Sequence, residues 1–215
     1  GLANGLERRA VQIFEMSPVT AFDSTGAGWR LFTPQGRIMA SRVILANNGH
    51  LESFGFKAGR LMHIMLNACM TAELPPEALR GLGGEATWGA TPADPMGCTL
   101  RRISTAQGGN RLIIRQGGYY RRNMATSAAD LARAAAGMRA KFDARFPALR
   151  GFAFEYAWSG HLCLSKNAVS VMQPLEPGLF AACVQNGLGT TRGTLTGIGA
   201  AELAMGQSSE ITRFF

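Results

Sequence analysis

An apolar run from Leu179 to Val184 meets Gln185-Asn186-Gly187-Leu188-Gly189-Thr190-Thr191-Arg192-Gly193, and a helix-compatible stretch from Thr194 to Gly206 follows. Strand, glycine turn and helix in that order can cradle a cofactor. Glycines let the backbone approach a ligand closely, and the first helical turn offers unpaired N–H groups and the positive end of the helix dipole. That combination favours an anion or an electron-rich ring. The spacing departs from the dinucleotide fingerprint G-x-G-x-x-G, because Gly187 and Gly189 are followed by Gly193, one residue late, and no further strand completes a βαβ unit. It is not a primary nucleotide-binding turn. A tight turn plus small residues for close helix packing would give the same pattern.

Bulk properties narrow the function class. At 215 residues, with 47% hydrophobic and 17% charged content, the chain suits one large or two small globular domains. No apolar run approaches the roughly 20 residues of a membrane span, and no secretory signal is visible, so a soluble, cytoplasmic protein is expected. Cys69, Cys98, Cys163 and Cys183 form no C-x-x-C pair, and His50, His63 and His161 are equally scattered, so neither a metal site nor a disulfide framework is expected. The net charge of +8 is almost entirely arginine, in singles and pairs with no basic run or aromatic-studded RNA signature. Nucleic acid is therefore not the expected partner, although a catalytically silent basic binding domain for nucleic acid or an acidic partner is the alternative from another class.

Leu2 to Arg9 has helical spacing but no cap ahead of it, as expected for a helix cut from a longer protein. Strand patterns follow at Val11 to Phe14, Val19 to Asp23, Trp29 to Thr33 and Arg37 to Ala46, separated by short turns that favour antiparallel pairing. Leu61 to Ala72 reads as a strand, Leu74 to Gly97 as loops, and Cys98 to Ser104 with Arg111 to Arg115 as a hairpin. Ser127 to Phe146 is the clearest helix, with Ser127 as N-cap, Leu131, Ala135, Met138 and Phe142 on one face, and Pro147 as the stop. Strands at Gly151 to Leu164, Ala168 to Met172 and Leu179 to Val184 precede the terminal helix.

Three motifs, in order, resemble the C-terminal half of FAD-dependent oxidoreductases of the D-amino-acid oxidase superfamily, which includes glycine, sarcosine and gamma-glutamylputrescine oxidases. They are Gly1-Leu2-Ala3 through Glu15-Met16-Ser17-Pro18-Val19 with Val43 to Gly49; Trp158-Ser159-Gly160; and Cys183 through Thr194 with Gly197 and Ala201-Glu202-Leu203. The resemblance covers nearly the whole chain, most weakly at Leu74 to Gly97. It lacks the superfamily's N-terminal strand with G-x-G-x-x-G, so a missing N-terminal half of the same protein is the implied partner.

The resemblance implies an α+β fold. An antiparallel substrate-domain sheet with flanking helices would occupy 56–164, and parts of an FAD-binding domain, without its N-terminal Rossmann half, would occupy 1–55 and 165–215. It also implies the chemistry: a small amine or amino acid passes hydride from its α-carbon to FAD, and the resulting imine is hydrolysed. The implied cofactor-binding residues are Val19, Ala46, Asn47, Asn48, Gly49, Trp158, Gly160, Asn186, Gly187, Leu188, Gly189, Thr190 and Thr191. Thr191 would also add a catalytic hydroxyl donor where some relatives carry lysine, and Arg115, Tyr119 and Tyr120 are the substrate-binding candidates. Where many relatives show D-x-x-P after the W-x-G strand, this chain has Asn167-Ala168-Val169-Ser170.

Overall fold

The computed structural model describes residues 2–94 and 97–214; Gly1 of the opening motif, Pro95 and Met96 of the 74–97 stretch, and Phe215 lie outside the described residues. In chain order the first elements are α1 (Leu2–Glu7), β1 (Ala21–Ser24), β2 (Trp29–Thr33), β3 (Gly36–Ala40), β4 (Val43–Leu45) and, after a 3-10 segment, β5 (Leu61–Thr71). Next come α2 (Pro76–Arg80), β6 (Trp88–Ala90), β7 (Thr99–Ile103), β8 (Arg111–Tyr120), α3 (Ala128–Arg145) and β9 (Phe154–Ser165). The chain closes with β10 (Val171–Glu176), β11 (Leu179–Cys183), α4 (Gly189–Ala204) and α5 (Glu210–Phe214). These elements form a mixed α+β fold in two units. One holds the residues up to Gly59, Ser170–Cys183 and the residues from Leu188 onward; the other holds Arg60–Val169 and Val184–Gly187.

In the first unit, β1, β2 and β3 form an antiparallel meander, and β10, β11 and β4 a second small sheet. Within the second sheet β11 runs antiparallel to β10 but parallel to β4, with Leu179 opposite Val43 and Ala181 opposite Leu45. The expected single strand from Arg37 to Ala46 is therefore two. The exposed residues of β3 serve the meander edge, while the apolar Val43-Ile44-Leu45 joins the sheet that α4 packs against. α4 approaches closely enough that a Cβ on Gly199 would meet the Met172 thioether, and any larger residue there would require that side chain to move. Val11 to Phe14 is not a strand: no described segment pairs with it, and an apolar alternation without a partner ladder does not form a stable strand on its own.

The helix α4 begins at Gly189, five residues before the expected start. Glycine and threonine are poor helix formers, and sequence propensity alone leaves the first turn as loop. Packing overrides it: Thr196, Gly199, Ala200 and Ala204 are buried, and the hydroxyls of Thr194 and Thr196 donate to the carbonyls of Thr190 and Arg192 at 2.7 and 2.8 Å.

The second unit is a five-stranded antiparallel sheet in the order β6-β7-β8-β5-β9, with α3 packed on β5, β8 and β9. Cys69, Leu74, Leu100, Leu112, Ile114, Met138, Phe142 and Leu149 form its core. The expected loop region from Leu74 contributes α2 and β6, and Leu79, Leu82 and Trp88 pack on this core, an apolar requirement that Pro and Gly content hides. β8 runs five residues beyond its expected end by way of Gly117, whose φ of +100° only glycine adopts at little cost.

Ser127 caps α3 as expected. Its Oγ accepts from the Asp130 amide at 3.1 Å, and the Asp130 carboxylate accepts in return from the Ser127 amide. The Ser127 hydroxyl also donates to that carboxylate at 2.9 Å, and this bond first, then the one from the Ser127 amide, holds the Asp130 carboxyl below its usual range; Asp23 is lowered first by Arg30, and Glu155 by Arg111. Carboxyls depressed in the folded state contribute stability above their unfolded values and lose it as pH falls through the folded ones. Stability is therefore expected to decline below about pH 4. A Ser127→Ala variant should lose about 1 kcal/mol at neutral pH, and thermal melts across the acid range should show a shallower decline for it than for the unaltered protein.

Candidate functional site

The carboxyl ends of the parallel strands β4 and β11 set where a ligand can sit, because both chains leave the sheet at the same end. From β4 the chain enters Ala46-Asn47-Asn48-Gly49; from β11 it enters the glycine-rich loop. Beside β4 lies a cleft of about 550 Å³ lined by Pro18, Val19, Thr20, Ala46, Asn47 and His50, among others. Val19, Ala46 and Asn47, chosen from the sequence, thus meet in one place; Gly49 is buried in the following turn, and Asn48 stands in left-handed backbone at φ +50°. Asn47 Nδ2 is buried with no hydrogen-bond partner among the described residues, a state that few buried polar groups in folded proteins keep.

After β11, Val184, Asn186 and Gly187 all take left-handed backbone, at φ +63°, +53° and +82°. For a β-branched valine this is a strained conformation, sustained only where the surroundings over-determine it. The Asn186 side chain does so: its Oδ1 accepts from the Ser165 amide at 2.8 Å and its Nδ2 donates to the Val184 carbonyl at 3.0 Å. The amide of Asn186 is therefore committed to the loop itself. The loop delivers the chain into α4, a 16-residue helix with no side-chain N-cap bond and no acidic residue in its first turn. Gly189, Thr190 and Thr191 are exposed there, and a Cβ added to Gly187 or Gly189 would meet nothing within 4 Å. An uncapped, acid-free helix start fronted by open space is suited to a negatively charged or electron-rich group.

In the second unit, strand register decides which candidates share a face. Ala68 of β5 lies opposite both Arg115 and Trp158, Leu66 opposite Gly160, and Ile64 opposite Tyr120 and Leu162. Residues directly opposite one another in antiparallel strands project to the same side. Arg115, Tyr120, Trp158 and Gly160 consequently share one face, with Ile64, Leu66 and Ala68 between them. Tyr120 and Trp158 are 58% and 43% exposed on it, which marks the face as open. Arg115 Nη2 donates to Thr99 Oγ1 at 2.8 Å, and no ion pair to Arg115 occurs among the described residues.

Tyr119 falls on the other face. The register shift between Met65 and Asn67 inserts an extra residue at Gly117-Gly118, and such a bulge turns the rest of β8 over. There Asn67, nearly fully buried, accepts from Ser159 Oγ at 2.7 Å and donates to the Tyr119 hydroxyl at 3.5 Å. Burial pushes the Tyr119 hydroxyl up, but hydrogen bonds with Asn67, Thr126 and Arg121 outweigh it and leave the group below the ordinary tyrosine range. Tyr119 was singled out from the sequence but its partner Asn67 was not, although His63, Asn67 and Thr71 recur every fourth residue in an otherwise apolar strand, the spacing of a buried polar row. It also passed over His50 and Thr20 in the cleft, which no motif marks.

Among the described residues no cluster of three or more His, Cys, Asp or Glu side chains could hold a metal ion, and no helix is long and apolar enough to cross a membrane. Parallel strand ends feeding a glycine-fronted, uncapped helix are an arrangement suited to an anionic or electron-rich cofactor. The chain belongs to the family described as FAD dependent oxidoreductase, which matches residues 1–203. No curated protein sequence matches the chain. The fold is similar to that of glycine oxidase from Geobacillus kaustophilus, with a TM-score of 0.70 and 18% identity over 93% of this chain and 50% of that one. It is also similar to L-amino acid deaminase from Proteus vulgaris (TM-score 0.71, 14% identity, 97% and 58% covered). A third similar structure is L-proline dehydrogenase from P. horikoshii (TM-score 0.68, 16% identity, 96% and 54% covered). The chain spans about half the length of these structures. The residues present fit FAD: the α4 start and the unpartnered Asn47 donor are both suited to its electron-rich and anionic groups.

Proposed function

We propose that this chain is the C-terminal half of an FAD-dependent oxidoreductase that oxidises the C–N bond of an amine or amino acid, and that the chain alone is inactive. The observation that carries the reading is the uncapped, acid-free start of α4 at the carboxyl end of the β4/β11 pair. When bound, FAD supplies the redox chemistry by accepting hydride from the carbon bearing the nitrogen.

The chain's own residues have three tasks. Amides of Gly189, Thr190 and Thr191, with the dipole of α4 behind them, stabilise negative charge on the ring, and the Thr191 hydroxyl adds a further donor. Val19, Ala46, Asn47, Asn48 and Gly49 serve the adenosine side. On the open sheet face of the second unit, Trp158 and Gly160 are the residues available to the cofactor, and the Arg115 guanidinium, free of any acid among the described residues, takes a substrate carboxylate as a bidentate partner with Tyr120 beside it. Tyr119, on the opposite face, acts on that site only through Asn67 and the sheet. The names of the similar structures, which act on glycine, L-amino acids and L-proline, support an amino-acid substrate.

The test is flavin retention. Purified alone and dialysed, the chain should keep little FAD, because it lacks the G-x-G-x-x-G turn that grips the pyrophosphate. Joined to an N-terminal half carrying that turn, it should keep stoichiometric FAD. Stoichiometric flavin on the chain alone, or none on the joined protein, would overturn the reading.

A further inference from the structure

Cys183 closes β11 as a fully buried thiol, and nothing in the chemistry above uses it. Its surroundings are unusual for a residue that only fills space. Sγ lies 3.1 Å from the Leu45 carbonyl at the end of β4 and 3.4 Å from Asn47 Oδ1. Burial raises the thiol's pKa, so it stays protonated, and backbone groups of Asn48 and Asn47 contact the sulfur as well. One sulfur therefore joins the last residue of β11 to the loop that leaves β4, across the parallel pair.

The consequence lies in which way the Asn47 amide faces. Oδ1 is turned to the thiol, whose single proton it shares with the Leu45 carbonyl, and Nδ2 is the remaining polar end. Nδ2 is buried without a partner among the described residues, on a residue that lines the cleft beside β4. A buried donor left unpaired is costly, and the cost is recovered when a ligand supplies an acceptor.

We propose that Cys183 is a positioning residue for the cofactor: its thiol holds the Asn47 side chain in the orientation that presents Nδ2 as a donor to an acceptor atom of FAD in the cleft. The proposal rests on the reading of that cleft as part of the FAD site. It assigns Cys183 no redox or nucleophilic role. The thiol acts through Asn47, and its contribution is to keep a single amide orientation in a loop that contains left-handed Asn48.

The experiment uses the joined flavoprotein, measuring FAD dissociation by fluorescence titration of the apoprotein beside a thermal melt. Asn47→Asp replaces the donor with an acceptor of the same shape, and should weaken FAD by about tenfold, the worth of one buried hydrogen bond. Cys183→Val removes the S–H at similar volume and should weaken FAD to a comparable extent, whereas Cys183→Ser, which keeps a donor, should restore affinity to within about twofold. Because both residues act through one bond, the double variant should bind no worse than Asn47→Asp alone. A Cys183→Val protein that melts lower yet binds FAD as tightly as the unaltered protein would reduce Cys183 to packing and overturn the proposal. Losses that multiply in the double variant would overturn it too. If the unaltered joined protein takes up no FAD, the functional reading fails and the proposal falls with it, an outcome distinct from unchanged affinity in the variants.

Discussion

A Gly189→Asp variant is expected to melt no lower than the unaltered protein and to lose flavin function. Gly189 is the first residue of α4, with helical rather than left-handed backbone, and a side chain there meets nothing within 4 Å. An aspartate at the first helical position replaces a poor helix former and complements the positive end of the dipole, each favourable to folding by a fraction of a kcal/mol. The same carboxylate would occupy the space in front of the helix and set a negative charge where charge must be stabilised. Losing one well-aimed donor at such a place costs about 3–4 kcal/mol, or roughly a hundred- to a thousand-fold in rate. Flavin reduction measured by rapid mixing should fall by at least that much while the melt is unchanged or higher. Equal losses in melting and reduction would show that the helix start serves only the fold.

Phe142→Ala should produce the largest loss of stability. The ring is fully buried in the second unit's core, 5.1 Å from the Phe146 ring and 5.4 Å from that of Phe154. The guanidinium of Arg139 lies 5.1 Å from the Phe142 ring centre and 3.7 Å from that of Phe154, so truncation removes packing and a cation–π contact together. Core phenylalanine truncations cost about 3–5 kcal/mol, a large share of the stability of an ordinary domain. Denaturant titration of the chain would measure it, and a cost below about 1 kcal/mol would mean that the core collapses onto the space or that α3 is not its lid.

What was legible in the sequence is what short-range chemistry controls. The α3 helix was readable because an N-cap, an apolar face and a terminating proline coincide within Ser127 to Pro147, and the D-amino-acid oxidase resemblance was readable because its motifs keep their order. Long-range pairing was not legible. Nothing in Arg37 to Ala46 says that β3 and β4 belong to different sheets, since that follows from β11 arriving parallel to β4 from more than a hundred residues away. The first turn of α4 reads as loop because Gly189 to Gly193 has low helix propensity, and the packing that forces it into helix lies downstream, at Thr196 and Gly199. Arg115, Tyr119 and Tyr120 are neighbours in sequence, yet the bulge at Gly117-Gly118 puts Tyr119 on the opposite face from the other two. A bulge adds one residue, and period-two counting does not survive it.

The most direct test of the account is anaerobic mixing of the joined flavoprotein with amino acids and simple amines, following flavin absorbance and released ammonia together. The expected result is bleaching of the bound flavin by at least one amino acid, with ammonia appearing in equal amount after hydrolysis where that substrate carries a primary amine. Bound flavin that dithionite bleaches but no amine or amino acid does would contradict C–N bond oxidation by this protein.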